Sequence, residues 1–232
     1  MIQSRFSDAI WFKPSQKQNI VIGGVGGIGS WLALFIGRIG VDKIAIYDMD
    51  VYEKHNLGGQ FAKISDIGEL KRAAIIRNMR DFGVGAVVKT LRFPTYTVGS
   101  MSSNIMFSCF DNMNARKIMF KNWLDGNSEN SDAIFIDGRL AMELMQIFCV
   151  QRNDIKAINR YQTEFLFSDD EVEEAACTLK QTSHSAAMIA GFMTSFYTNW
   201  LVNITERKEV RSVPFMTEYF IPINLMTYEN KV

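Results

Sequence analysis

The segment Asn19–Gly29, NIVIGGVGGIG, constrains the fold of this 232-residue chain more than any other. A short apolar run rich in β-branched residues enters a glycine cluster, and the apolar stretch Ser30–Ile39 follows. Strand, glycine turn and helix in that order open a βαβ unit. Gly24, Gly26, Gly27 and Gly29 let the backbone approach a phosphate closely. The helix beyond them offers free N–H groups and partial positive charge. Asp48 closes the next apolar run, KIAIYD, where a carboxylate can accept hydrogen bonds from ribose hydroxyls. The motif alone does not separate ATP from NAD, and a glycine turn needed only for packing is its plainer reading.

The remaining pattern extends this unit. Apolar runs predict strands at Asn19–Ile22, Lys43–Asp48, Val87–Phe93, Ile105–Phe110, Ala133–Asp137 and Leu144–Val150, with a late edge strand at Phe215–Ile223. Helical spacing covers Ser30–Ile39, Glu69–Asp81, Asn112–Trp123 and Thr182–Asn203. The alternation predicts an α/β fold, a Rossmann-like, doubly wound, mainly parallel sheet made mixed by two or three antiparallel late strands. One domain over 1–232 suits the length: an arm at 1–18, a nucleotide-binding core at 19–150, and a surface excursion, long helix and late strand at 151–232. Residues 52–68 are polar and read as a long loop, a length that usually signals function.

Composition narrows the function classes. The formal net charge of zero argues against nucleic-acid binding driven by bulk charge. The start MIQSRFSDAIWF lacks a signal-peptide pattern, and the apolar stretch 186–202 is interrupted by polar residues, as a buried helix is and a membrane span is not. Three cysteines, Cys109, Cys149 and Cys177, form no CxxC pair, so zinc is not expected, and their odd number fits a cytoplasmic protein. Cys109 and Cys149 sit in apolar runs and read as core; His55 and His184 read as surface positions, and the acidic run 169–174 as a solvated loop.

A second set of residues carries chemistry. Asp48-Met49-Asp50 leads to Asn56-Leu57-Gly58-Gly59-Gln60, then Gly68 and Lys71, and a later strand ends in Asp111-Asn112 with Arg116 beyond. Lys71, on the first turn of a helix, can place a point charge on phosphates. Asn56 and Gln60 can hydrogen-bond phosphate or ribose oxygens without adding charge. Asp111, at the carboxyl end of a strand, can hold Mg²⁺, which takes one or two carboxylates plus phosphate oxygens; alternatively it is the N-cap of the helix from Asn112.

In this order the motifs resemble the E1-like superfamily, which includes the ThiF and MoeB enzymes and the adenylating halves of ubiquitin-activating enzymes. Its pattern runs glycine loop, DxD, NLxRQ, a lysine after a glycine, and Asp-Asn. The resemblance covers roughly residues 4–200. It implies an ATP- and Mg²⁺-dependent adenylyltransferase that activates the C-terminal carboxylate of a small sulfur-carrier or ubiquitin-like protein ending in glycine, or of a peptide. It implies that Gly24, Gly26, Gly27, Gly29, Asp48, Asn56, Gln60, Lys71 and Asn112 bind the nucleotide, and that Asp111 is the metal-linked acid. Arg5, in Ser-Arg-Phe-Ser, is similar to an arginine that reaches the partner subunit's site, and Cys177-Thr178 is similar to the motif of members that pass the carrier to a cysteine. With no second adenylating half in the sequence, a homodimer is the expected assembly.

The chain departs from that pattern at Gly59, where NLxRQ has its arginine, leaving Arg72 or Arg116 to substitute in space. A non-catalytic, nucleotide- or partner-binding subunit is therefore the second reading. An NAD-dependent oxidoreductase is the third; it accounts for the glycines and Asp48 but gives Asn56, Gln60, Lys71 and Asp111 no shared task.

Overall fold

The computed structural model describes residues 6–41, 43–84, 90–92, 101–141, 143–167 and 182–230. Arg5, Cys177 and the acidic run 169–174 lie outside them. The strands are β1 (Asn19–Gly23), β2 (Lys43–Tyr47), β3 (Thr90–Arg92), β4 (Ile105–Ser108), β5 (Ile134–Ala141), β6 (Leu144–Gln151), β7 (Met216–Phe220) and β8 (Leu225–Glu229). They form one sheet in the order β3-β2-β1-β4-β5-β6-β7-β8. Pairing is parallel from β3 to β5 and antiparallel from β5 to β8. The sheet is thus the mixed, Rossmann-like one that the alternating pattern predicts.

Strand alternation divides the apolar residues between two cores. Ile20, Ile22, Ile44, Ile46, Ile105, Phe107, Ile134 and Ile136 face one side. There they meet helices α2 (Gly27–Arg38), α3 (Lys71–Asp81) and α6 (Ser183–Glu206). Val21, Ala45, Met106, Phe135 and Phe148 face the other, against α4 (Met113–Gly126) and α5 (Ile155–Arg160). Burial on both faces explains why the strands read as unbroken apolar runs. A short helix, α1 (Phe12–Ser15), precedes β1. The polar residues of α6 are absorbed locally: Thr194 and Thr205 donate to the carbonyls of Ala190 and Leu201. Among the described residues no helix is long and apolar enough to cross a membrane.

Several boundaries differ from the sequence reading, three of them with structural consequences. Helix α2 begins at Gly27 rather than Ser30, so the glycine cluster itself supplies the first helical turn. The stretch from 151 is not all surface. Asp154 accepts from the Ala157 N–H at 3.0 Å and caps α5, which runs into a π-turn at Tyr161–Phe165; Ala157, Ile158 and Tyr161 are buried. Those few apolar residues are hidden among charges in the sequence. The late strand lies inside the sheet as β7, and β8 forms the edge after a turn at Asn224 (φ 51°). Every residue of β8 is exposed, so no burial alternation announces it.

The polar loop 52–68 is ordered by Asp66. Two 3₁₀ turns, Lys54–Gly58 and Ile64–Asp66, sit between the bridges Val51–Leu70 and Tyr52–Ile67. The buried Asp66 carboxylate accepts from the Lys63 N–H (2.8 Å) and Asn78 Nδ2 (2.6 Å), and pairs with Arg77. Burial pushes this carboxyl up, but the bonds from Asn78, Lys63 and Arg77 outweigh it and hold its pKa below the usual range. A depressed folded-state pKa stabilises the fold above the unfolded value and loses that contribution as pH falls. Asp66→Asn is therefore expected to lower the unfolding free energy by about 1–3 kcal/mol at neutral pH. In urea titrations across pH, the gap from the unsubstituted protein should be flat above about pH 4 and close below it.

Candidate functional site

Strand β1 lies between β2 and β4, so the chain leaves it first to one side and later to the other. In open α/β sheets a ligand crevice forms outside the carboxyl ends of the strands at such a reversal. Gly23 is in register with Tyr47 and with Ser108, so the loops after all three strands start level with one another. These loops carry the glycine cluster, Asp48–Asp50 and Asp111–Asn112.

The glycines divide by task. Gly24 adopts φ +80° and donates to the Tyr47 carbonyl at 2.8 Å; a Cβ on it would lie 2.8 Å from the Cys109 carbonyl oxygen. A Cβ on Gly29 would lie 1.9 Å from the Gly24 carbonyl oxygen. Both are required by the protein's own packing. Gly26 differs, because the nearest atom to its added Cβ is Gln60 Nε2 at 3.9 Å. Gly26 and Gly27, at the start of α2, are half-buried and have no side-chain cap. They leave backbone and space for a ligand at the positive end of the helix.

Asp48 is buried and ties the loops together. Its Oδ2 accepts from the Val25 N–H at 2.7 Å and its Oδ1 from the Asp50 N–H at 2.9 Å. Burial raises its pKa, opposed by those two bonds and by the Lys71 charge. Lys71 is buried and reaches Asp50 Oδ2 at 3.0 Å, while its N–H donates to the Asp50 carbonyl at 2.8 Å. Arg72 Nη1 donates to the Asp48 carbonyl at 2.7 Å, and its buried Nε has no partner among the described residues. Gln60 Oε1 is likewise buried without a partner among them. Buried polar atoms are normally hydrogen-bonded, so both are places where a bound group can complete the site.

Asn56 shapes the loop: its Oδ1 accepts from the Glu53 N–H at 2.8 Å and its carbonyl from the Gln60 N–H at 2.9 Å. The Gly59 carbonyl accepts from Trp31 Nε1 at 3.0 Å, and the Phe61 N–H donates to Ser30 Oγ at 2.9 Å, which stitches the loop onto α2. At the end of β4 the cap of α4 is Asn112, whose Oδ1 accepts from the Ala115 N–H at 2.8 Å. Asp111 is therefore not the N-cap that was its alternative reading. It is exposed, with Asn112 Nδ2 3.3 Å from its Oδ1.

Arg116 does not stand in for the arginine absent at Gly59. It is buried, ion-paired with Asp137 and hydrogen-bonded to the Phe110 carbonyl. The apolar pattern ends a strand at Asp137, whereas β5 runs on to Ala141 and holds Asp137 in its interior. Asp137 is fully buried and also meets Arg139 Nε at 2.7 Å and the Tyr161 hydroxyl at 2.9 Å. Burial pushes its carboxyl up, but the Arg116 and Arg139 charges outweigh this and lower its pKa. The available signal was a lone acid closing an apolar strand; its partners come from distant elements. The Cys109 and Cys149 thiols are pushed up by burial, as core thiols are. Among the described residues no three His, Cys, Asp or Glu side chains gather as a metal cluster. A Mg²⁺ held by one carboxylate and phosphate oxygens needs no such cluster, so Asp111 alone fits that donor set.

A reversing α/β sheet with a glycine cradle and a lysine beside it defines a nucleotide-binding class of fold. Residues 12–225 match the ThiF family, and this chain belongs to it. It is 25% identical over 118 residues to ubiquitin-like modifier-activating enzyme 5 of Arabidopsis thaliana, covering 42% of this chain and 27% of that protein. The Culex quinquefasciatus protein of the same name is 25% identical over 144 residues, covering 52% of this chain and 36% of that one. The chain thus spans about a third or less of the curated relatives it matches. Crystal structures sharing the fold include E. coli MccB with MccA-N7isoASN (TM-score 0.70, 15% identity, 95% of this chain, 66% of that chain). PaaA is another (TM-score 0.68, 16% identity, 95% of this chain and 75% of that chain).

Gly29→Ala is expected to lower the unfolding free energy by about 1–3 kcal/mol, because its Cβ meets backbone that cannot give way. Gly191→Ala, in the middle of α6 with nothing within 4 Å, should instead raise it by up to about 1 kcal/mol. Chemical denaturation of the two variants checks both signs.

Proposed function

We propose that this chain is an ATP-dependent adenylyltransferase that activates the C-terminal carboxylate of a small ubiquitin-like or sulfur-carrier protein ending in glycine, or of a peptide. The observation that carries the reading is the orphaned Gln60 Oε1 beside the open face of Gly26, in a ThiF-family chain with Lys71 at the same crevice. The names of the relatives favour a protein substrate, and MccB has been crystallised with ATP and with MccA.

In this reaction a carboxylate oxygen bonds to the α-phosphorus of ATP, the bond to the bridging oxygen breaks, and pyrophosphate leaves. Two anions must meet, so the site has to supply positive charge. Gly24, Gly26, Gly27 and Gly29 form the backbone cradle, and Asp48 the acceptor for ribose. Lys71 exchanges its Asp50 contact for phosphate oxygens, Gln60 Oε1 accepts from a ribose hydroxyl, and Asn56 contributes an amide donor. Arg72, tethered beside Asp48 with a free Nε, supplies the cation that Gly59 does not. Asp111 would hold Mg²⁺, which supplies charge to the leaving pyrophosphate. Asn112 positions that acid through its cap. Arg5 would act across a homodimer interface, and the Cys177 thiolate would attack the acyl carbon of the adenylated carrier, forming a thioester as the bond to AMP breaks and AMP leaves; a cytoplasmic location suits that thiol.

A non-catalytic nucleotide- or partner-binding subunit is the second reading, favoured by Gly59 and by the engagement of Arg116 with Asp137. Pyrophosphate exchange with candidate carriers decides between them. The first reading expects Mg²⁺-dependent exchange that falls about 100-fold or more in Asp111→Ala and Lys71→Ala. ATP binding without exchange for any carrier assigns the chain to the second reading. Calorimetry that finds NAD preferred over ATP overturns the first reading.

A further inference from the structure

The carboxylate of Asp137 and the guanidinium of Arg116 lie beneath the loop that carries Asp111, and the adenylation reading gives them no task. Asp137 is buried to 0% exposure in β5. It is shared by two arginines of different character. Arg139 belongs to the scaffold: its Nη2 donates to the Phe165 carbonyl at 2.8 Å and its guanidinium lies 4.8 Å from the centre of the Phe148 ring, holding the π-turn against the sheet. Arg116 belongs to the loop. From the first turn of α4 it binds Asp137 with one nitrogen and the Phe110 carbonyl with the other, one residue before Asp111.

Stability alone does not account for such a cluster. Taking ions out of water is costly, and well-packed apolar residues of similar volume are commonly as stable as a buried ion pair. Asp111 itself is exposed, and the partner found for its carboxylate is the adjacent Asn112. Its placement therefore depends on the backbone around it. That backbone is pinned at the Cys109 N–H, which donates to the Gly23 carbonyl at 2.8 Å, at the Asn112 cap, and between them by Arg116 on Phe110. Ser108 is in register with Asp137, so the loop leaves β4 directly beside this anchor.

We propose that Asp137, acting through Arg116, is a positioning residue that fixes the Phe110–Asn112 backbone and with it the Asp111 carboxylate. This role rests on the reading of Asp111 as the acid at the reacting centre. A displacement of about 1 Å at such a group can lower a rate 100-fold without abolishing binding.

Paired variants test it, because one carboxylate serves both arginines and only one arginine touches the loop. In Arg116→Met, hydrogen exchange at the Cys109 and Ala115 amides, which hold the two ends of the loop, should accelerate by about tenfold or more. In the pyrophosphate-exchange assay kcat should fall by at least about tenfold, with KM for ATP within about threefold. Arg139→Met should lower the melting temperature yet leave loop exchange rates and kcat within about twofold. Asp137→Asn should reproduce the loop effect of Arg116→Met. Equal effects of the two arginine variants on the loop, or an unchanged loop in Arg116→Met, overturn the proposal. If no carrier supports exchange, the adenylation reading fails separately, and the amide rates alone decide the positioning role. If Arg116→Met does not fold, Arg116→Lys carries the same comparison.

Discussion

The closest backbone approach at the crevice is the one between Gly29 and Gly24, where a single methyl would sit 1.9 Å from a carbonyl oxygen. It brings the first turn of α2 down onto the end of β1. Gly24 itself is left-handed and packs against the Cys109 carbonyl, which joins the β1 and β4 loops. The crevice exists because these three pieces of backbone are too close for side chains. Gly26, which has space, is the one through which the loop meets the outside.

Asp48 extends that constraint to the third strand. Its two oxygens hold Val25 and Asp50, its carbonyl holds Arg72, and Asp50 holds Lys71. Asp48 thereby ties the glycine loop to the β2 loop through its carboxylate, and the start of α3 is held by its carbonyl and by Asp50. Burial of the acid opposes ionisation, and the surrounding donors and the Lys71 charge oppose that in turn. Asp137 performs a comparable task on the other side of β4, linking α4, β5 and the π-turn through Arg116, Arg139 and Tyr161. The two buried acids flank the reversal in strand order.

Gln60 and Gly59 show how closely a loop can hold one position and release another. The Gly59 carbonyl is bound to Trp31 while the next side chain retains an acceptor with no protein partner. The turn is set by Asn56 and by the Asp66 anchor further on, so the amide of Gln60 stands on a fixed base. An ordered loop with an unsatisfied polar tip is suited to recognition, because little entropy is lost on binding.

By itself the sequence determined the doubly wound order of strands and helices, the glycine turn and the acids at strand ends. These are local patterns, set by side-chain period, by conformations open to glycine and by the polarity of strand termini. Gly24 and Gly29 lie in the turn after β1, Asp48 follows β2 and Lys71 opens α3, as such patterns place them. Only the tertiary structure decided which partners those groups have. Asp137 finds Arg116 from another helix and Tyr161 from a stretch whose charges masked its buried residues. Arg116 is thereby engaged at Asp137, while Arg72 lies at the Asp48 carbonyl. The strand β8 was hidden because both its faces are exposed and no alternation marks it. Pairings of this kind depend on which elements fold against each other, and spacing along the chain does not encode that.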